Sequence, residues 1–240
     1  MKASIHFLSI ISFFAVMGIN SCRTKGPCPS GHDIKGDDTL TINVLGDSYV
    51  RNHRRPFEES WHYKVAMMHG MRYNNYGRNG SCVAFDRSQD GFGKSLMVRY
   101  RDMDPNADIV VIIAGHNDAS IIGSDILKLS QFTDSVSQLI DNIRHHCPKA
   151  KIGWVTPWFV DREGFGPVVK AIKKICRKKH VPVLDNYSNN CIIQVRDSEF
   201  RRQFFQGADD TAHLNAAGHD LFVPVGNKFI EKLINEKLIR

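Results

Sequence analysis

The chain has 240 residues, of which 42% are hydrophobic and 24% charged, and a formal net charge of +7. That length suits one domain whose core is large enough to fold without disulfide or metal staples. The composition excludes a disordered polymer and a membrane-embedded protein, and no RNA-binding or zinc-finger signature accompanies the basic excess, so nucleic acid is not an expected partner.

Met1–Lys2 is followed by an apolar run from Phe7 to Met17 and then by Gly18–Ile19–Asn20–Ser21–Cys22. A short cationic start, an apolar stretch too short to span a bilayer comfortably and a small residue at its end read as a secretory signal over residues 1–21. Ile19–Asn20–Ser21–Cys22 also resembles the lipobox of bacterial lipoproteins, with Asn where a small residue is usual. It implies lipidation of Cys22 and export to the periplasm or cell surface, with membrane contact only through that anchor; ordinary cleavage and release is the alternative. Removing residues 1–21 takes away one lysine and no acid, so the formal charge goes from +7 to +6. Residues 22–39, rich in Gly, Pro, Lys and Asp, read as a tether. The cysteines at 22, 28, 82, 147, 176 and 191 form no CxxC, and His145–His146–Cys147 has no matching ligand pair, so no metal site is expected.

From there the chain alternates. The spacing predicts a strand over 40–45, a helix over 56–70 with Phe57, Trp61, Val65, Met68 and His69 near one face, and a short strand over 73–76. Residues 81–104 are rich in Gly and Arg and carry no clear period. Residues 107–114 are apolar at every core position, as in a strand covered on both sides. A helix over 126–147 follows, with Ile126, Leu129, Phe132, Val136, Leu139, Ile140 and Ile143 at helical spacing. Then come a strand over 151–156, a helix over 168–180, a strand over 181–185 and a helix over 215–238 interrupted at Pro224. On the 168–180 helix, Lys170, Lys173, Lys174, Arg177, Lys178 and Lys179 oppose the apolar face; a solvated surface accounts for them, and attraction to an anionic surface or polymer is the sharper reading. Strand–helix alternation predicts an α/β domain over 40–240 with a central, mostly parallel five-stranded sheet.

In such sheets ligands sit beyond the carboxyl ends of the strands. Ser48 follows the first strand in Gly46–Asp47–Ser48, and Gly77 and Gly80 follow the second. Gly115–His116–Asn117–Asp118 follows the third, and Asp210–Thr211–Ala212–His213 precedes the last helix. All four groups therefore fall on one rim. A serine hydroxyl, an imidazole and a carboxylate are the nucleophile, the base and the group that orients the base in acyl transfer. Asp47, by contrast, reads as bracing its turn, and His219 as packing or exposed; Lys94 and Arg99 lie in the unassigned stretch.

These motifs, in this order, resemble the SGNH (GDSL-type) hydrolases, a superfamily of serine esterases and lipases on a flavodoxin-like three-layer fold. The resemblance covers about residues 40–235. It implies Ser48 as nucleophile, His213 as base and Asp210 as its partner, with an oxyanion hole from the backbone of Ser48, the backbone of Gly80 (preferred to Gly77) and the Asn117 side chain. It also implies an ester substrate and no metal or organic cofactor. Substrate contacts are expected from loops at the strand ends, with Tyr49 and Trp158 the leading candidates, beside Arg51, Asn52, Pro157, Phe159 and residues 161–166. No long apolar lid is evident, so a carbohydrate O-acetyl esterase is the first expectation. A lysophospholipase or thioesterase, and a non-catalytic surface binding module on the same fold, are the alternatives. A nucleotide-binding relative is disfavoured because the first strand–helix loop lacks a Gly-rich phosphate cradle.

Overall fold

The structure is a computed structural model that describes residues 39–188 and 192–235. The signal segment 1–21, Cys22 and all of the tether but Thr39 lie outside the described residues. Five strands form one sheet: β1 (Thr41–Gly46), β2 (Arg72–Gly77), β3 (Ile109–Ile113), β4 (Lys151–Val155) and β5 (Val183–Leu184). They run in the order β2-β1-β3-β4-β5. Every pairing is parallel, so the sheet is wholly rather than mostly parallel.

Side-chain alternation along β3 explains why it is apolar throughout. Val110 and Ile112 enter one core with Leu45, Phe132, Leu139 and Ile172. Ile109, Val111 and Ile113 enter the opposite core with Ile42, Val44, Trp61, Phe222 and Phe229. The first core is roofed by α5 (Ile126–His146) and α6 (Phe165–Lys178), the second by α2 (Trp61–Met68) and α8 (Ala216–Asn235). Shorter helices α1 (Ser48–Arg51), α3 (Leu96–Arg99), α4 (His116–Ile122) and α7 (Ser198–Phe204) complete the chain order.

Several expectations shift. Met68 is 63% exposed and Ile126 is 79% exposed, because helical spacing continues beyond the part of each helix that the sheet covers. Pro224 lies inside α8, which runs on through it. The fifth strand shrinks to two residues at the sheet edge; Pro182 just before it has no N–H to donate, but its carbonyl accepts from the Trp154 amide at 2.9 Å. Helix α7, absent from the sequence reading, starts where the Asp197 side chain accepts from the amides of Glu199 and Phe200. The strand order reverses between β1 and β3. Loops leaving those two strands diverge there and open a crevice at the carboxyl edge, with Ser48 on one side and Asn117 on the other.

Candidate active site

Strand β1 ends at Gly46, where only glycine fits: a Cβ there would lie 2.2 Å from the Ile113 carbonyl oxygen. Asp47 then caps α1, its Oδ1 accepting from the Tyr49 amide at 2.9 Å, so Ser48 becomes the first residue of a one-turn helix. Across the crevice, Asp210 shapes its own turn: Oδ1 accepts from the amides of Ala212 (2.8 Å) and His213 (2.9 Å). Its Oδ2 lies 2.9 Å from His213 Nδ1, and His213 Nε2 lies 2.8 Å from Ser48 Oγ. A carboxylate can only accept, so Nδ1 carries the proton and Nε2 is left to receive the serine's. Burial pushes the Asp210 carboxyl up, but the His213 ring and the two amides more than offset this and hold it below its ordinary value. The structure thus brings Ser48, His213 and Asp210 into one hydrogen-bonded chain from three distant stretches.

Beside Ser48 sit the predicted donors for a developing negative charge. Asn117 Nδ2 donates to the Ser81 carbonyl at 3.0 Å and lies 3.4 Å from Asp47 Oδ2, leaving its second N–H only weakly engaged. The two glycines differ. Gly77 donates its amide to Asn75 Oδ1 at 2.8 Å and packs so tightly that a Cβ would stand 2.2 Å from the Arg51 nitrogen. Gly80 holds φ +72°, in a loop facing Asn117, and among the described residues its amide and that of Ser48 meet no acceptor. Unspent N–H groups of this kind are what an oxyanion site requires.

The model of the GDSL-like lipase/acylhydrolase family matches residues 44–221. The chain belongs to that family. It is accordingly a hydrolase of ester bonds, on a fold it shares with solved structures. One is a protein from Lactobacillus plantarum, 19% identical over 81% of this chain and 97% of that one, with a TM-score of 0.64. Another is a carbohydrate esterase family 2 enzyme with a carbohydrate-binding domain from Corynascus thermopiles (Myceliophthora fergusii), 17% identical over 86% and 70%, TM-score 0.60. A third is a family two carbohydrate esterase from Clostridium thermocellum in complex with cellohexaose, 14% identical over 81% and 64%, TM-score 0.59. At these identities the likeness is one of fold. No curated protein matched the sequence.

Two expected substrate contacts of this GDSL-family chain are not met. Tyr49 is 7% exposed and Trp158 4% exposed. Their rings pack edge-on at 4.4 Å, and Trp158 Nε1 donates to the Thr211 carbonyl at 3.2 Å, beneath the Asp210–His213 turn. They form the wall behind the hydroxyl–imidazole–carboxylate chain rather than its open side. Asn52 is buried as well, its Oδ1 accepting from Nε2 of His219, which is itself buried.

Other residues at the site had no signal that spacing could reveal. Asp118 is buried and accepts from the amides of Val83 (2.9 Å) and Ala84 (3.0 Å), pinning the loop that carries Gly80. Arg99, which had no assigned role, reaches the Tyr76 carbonyl (2.6 Å), Ser81 Oγ (2.9 Å) and the Gly46 carbonyl (3.3 Å), tying the ends of β1 and β2 to the same loop. Burial raises Asp47 to about 7 and Asp118 to about 6. His116 is held to about 3 by burial and by the Arg162 charge; because Arg162 can only donate to its Nε2 (3.5 Å), Nδ1–H donates to Tyr49 Oη at 2.8 Å. His53 stacks on His213, ring centroids 4.1 Å apart and planes 13° apart, from a backbone at φ +45°. Burial, and then the His213 charge, lower its pKa, so its ring faces the base uncharged.

Proposed function

We propose that this hydrolase removes short acyl groups, acetyl foremost, from carbohydrate alcohols through an acyl-enzyme on Ser48. The hydrogen-bonded chain from Ser48 Oγ through the His213 ring to Asp210 carries the reading. Ser48 Oγ attacks the ester carbonyl carbon while its proton passes to His213 Nε2. The resulting oxyanion is met by the amides of Ser48 and Gly80 and by Asn117 Nδ2. Collapse breaks the bond to the sugar oxygen, which leaves with the proton from Nε2. Water then attacks the acyl-enzyme, giving its proton to Nε2; the acid departs and Ser48 Oγ recovers its proton. Asp210 stays ionised throughout and stabilises the imidazolium.

The carbohydrate half of the reading is supported by the fold shared with family 2 carbohydrate esterases and by the character of the surface beside Gly80, where arginine and asparagine side chains outnumber apolar ones. A hydroxylated ligand suits such a surface better than a hydrocarbon tail. Export with a lipid on Cys22 belongs to the same proposal and rests on the sequence of residues 1–22; the mass of the mature protein tests it.

The decisive experiment sets wild type beside Ser48→Ala on acetylated glycans and on aryl esters of graded acyl length. The expected result is turnover that falls steeply beyond acetyl, is strongest on glycans and is lost in Ser48→Ala. Undiminished activity on long acyl chains would move the assignment to a lysophospholipase or thioesterase, and an active Ser48→Ala would end the serine mechanism.

A further inference from the structure

Beyond the hydroxyl–imidazole–carboxylate chain, a ≈ 670 Å³ cavity opens alongside the Gly80 loop. It is lined by Arg51, Arg78 and Arg99, by the amide side chains of Asn75 and Asn79, and by Phe92, and among the described residues no acidic one lines it. Its place is set by the nucleophile's own helix: Arg51 is the last residue of α1, three residues and about 4.5 Å of helical rise from Ser48. Asn79 is the neighbour of Gly80 and donates to the His53 carbonyl at 3.4 Å. The cavity therefore adjoins the catalytic crevice through two elements that already build it.

Its charge is unbalanced. Arg99 is spent on the Tyr76, Ser81 and Gly46 oxygens and contributes a fixed positive charge at the cavity's floor. Burial, and after it the Arg78 charge, hold Arg99 below the ordinary arginine value, a sign that two guanidinium groups repel each other here. Arg51 and Arg78 are exposed, and no ion pair joins either to a carboxylate among the described residues. Asp102 and Asp47 lie close enough to Arg99 to offset part of its charge, but Arg51 and Arg78 present exposed positive charge with no carboxylate paired to it among the described residues, a field that favours an anionic ligand. Guanidinium groups also match the planar, two-oxygen geometry of a carboxylate or sulfate. Phe92 closes one side of the cavity, its ring packed against Gly80 and held under the Arg87 guanidinium at 4.1 Å.

We infer that this cavity is a subsite for an acidic sugar, so that the ester presented to Ser48 is carried by a glycan bearing carboxylate or sulfate groups. The inference rests on the carbohydrate-esterase reading for the ester but not for the binding. Arg51 and Arg78 grip the anionic group, Arg99 supplies the field from below, and the ester lies one sugar or so away at the crevice.

The test has two arms. In the first, Ser48→Ala protein is titrated by calorimetry with de-esterified oligogalacturonate and with cello-oligosaccharide of equal length. The acidic glycan is expected to bind, weakening as salt rises, and the double variant Arg51→Gln/Arg78→Gln is expected to lose about tenfold or more in affinity per guanidinium removed. Equal binding of the two glycans, no binding of either, or binding indifferent to the arginines overturns the inference. So does equal or stronger arginine-dependent binding to phosphatidylglycerol vesicles, which would make the patch a membrane contact. In the second arm, the ratio of kcat/KM on acetylated polygalacturonate to that on acetylated xylan is compared between wild type and the double variant; the ratio is expected to collapse towards one. Absence of turnover on every ester sinks the esterase reading while the calorimetric arm still decides the subsite. Turnover with a ratio the substitutions leave untouched sinks the subsite alone.

Discussion

Replacing Asp210 with Asn tests the proposed mechanism at its most discriminating point, because the structure dictates how the amide must sit. In the wild type Oδ1 takes two backbone amides, at 2.8 and 2.9 Å, while Oδ2 takes the His213 ring at 2.9 Å. An asparagine can keep the first pair only by placing its oxygen there. The flipped orientation would forfeit both bonds and set N–H groups against an NH₂, at a cost of about 2–6 kcal/mol for two unsatisfied donors. The NH₂ is therefore turned to His213 Nδ1 and makes it an acceptor, which moves the ring proton to Nε2. That proton then points at Ser48 Oγ, 2.8 Å away, and the ring can no longer take the hydroxyl's proton. Serine hydrolases that suffer this tautomer switch lose about 10⁴-fold in kcat, equivalent to about 5.5 kcal/mol of barrier. The fold is spared, since the turn keeps both amide bonds. Asp210→Ala should show the converse: the tautomer is unconstrained and more activity survives, but the turn loses its acceptors and the melting temperature drops. Steady-state kinetics on an aryl acetate and a thermal melt read both. An Asp210→Asn enzyme within tenfold of wild type, or less active and also less stable than Asp210→Ala, would refute the reasoning.

Three further outcomes follow from the same geometry. Asn117→Ala removes an oxyanion donor and should lower kcat about 10²–10³-fold with little change in KM; a change confined to KM would place Asn117 in ground-state binding instead. His53→Asn, chosen because Asn tolerates a left-handed backbone, removes the ring stacked on His213 and should cost about 2–12-fold in kcat; an unchanged kcat in His53→Asn would show that the stack contributes nothing to the rate. Stability should rise with pH up to about 7 and then level off. Neutral His62, His116 and His219, held to about 4, 3 and 3 by burial, take up protons more readily unfolded than folded, so stability rises with pH until the unfolded imidazoles have lost theirs. Asp47 and Asp118, raised to about 7 and about 6, oppose this because folded they keep protons that the unfolded chain has released; being two against three, they flatten the rise without reversing it, and Asp47→Asn should steepen it. Melting curves of wild type and Asp47→Asn check this; a wild-type melting temperature that falls from about pH 5 to 6.5, or an Asp47→Asn curve less steep than wild type, would contradict it.

Much of the scaffold was legible because strand-end position is a one-dimensional property. Ser48, Asn117 and His213 each follow or precede an element whose apolar pattern is local, and a parallel sheet sends all such positions to one edge. What stayed hidden is held by bonds between residues far apart in sequence that leave no period behind. Residues 81–104 looked patternless because the part before α3 is fixed by Asp118 and Arg99, not by a ladder. His53 and His213 are stacked across 160 positions, and nothing in Asn52–His53–Arg54 signals it. Aromatic residues misled in the other direction: Tyr49 and Trp158 follow strand ends, as substrate contacts would, yet their size makes them the filler between the nucleophile's helix and the histidine's turn.

The buried charges behind the nucleophile then make sense as a group. Asp47, Asp118 and Arg99 would each be costly to bury alone, and both carboxyls are indeed raised and the guanidinium lowered. Each, however, satisfies irregular backbone that no helix or strand could: Asp47 the start of α1, Asp118 two amides of the Gly80 loop, Arg99 the carbonyls at the ends of β1 and β2. An oxyanion site needs N–H groups that point at empty space and stay there, so the segments bearing them cannot be secured by pairing those same N–H groups. Side chains must hold the rest of the backbone instead. The tolerance of two buried carboxyls and a half-buried guanidinium is thus the counterpart of leaving the Ser48 and Gly80 amides unspent, and substituting Asp118 should harm kcat through loop placement even though it lies behind the reacting atoms.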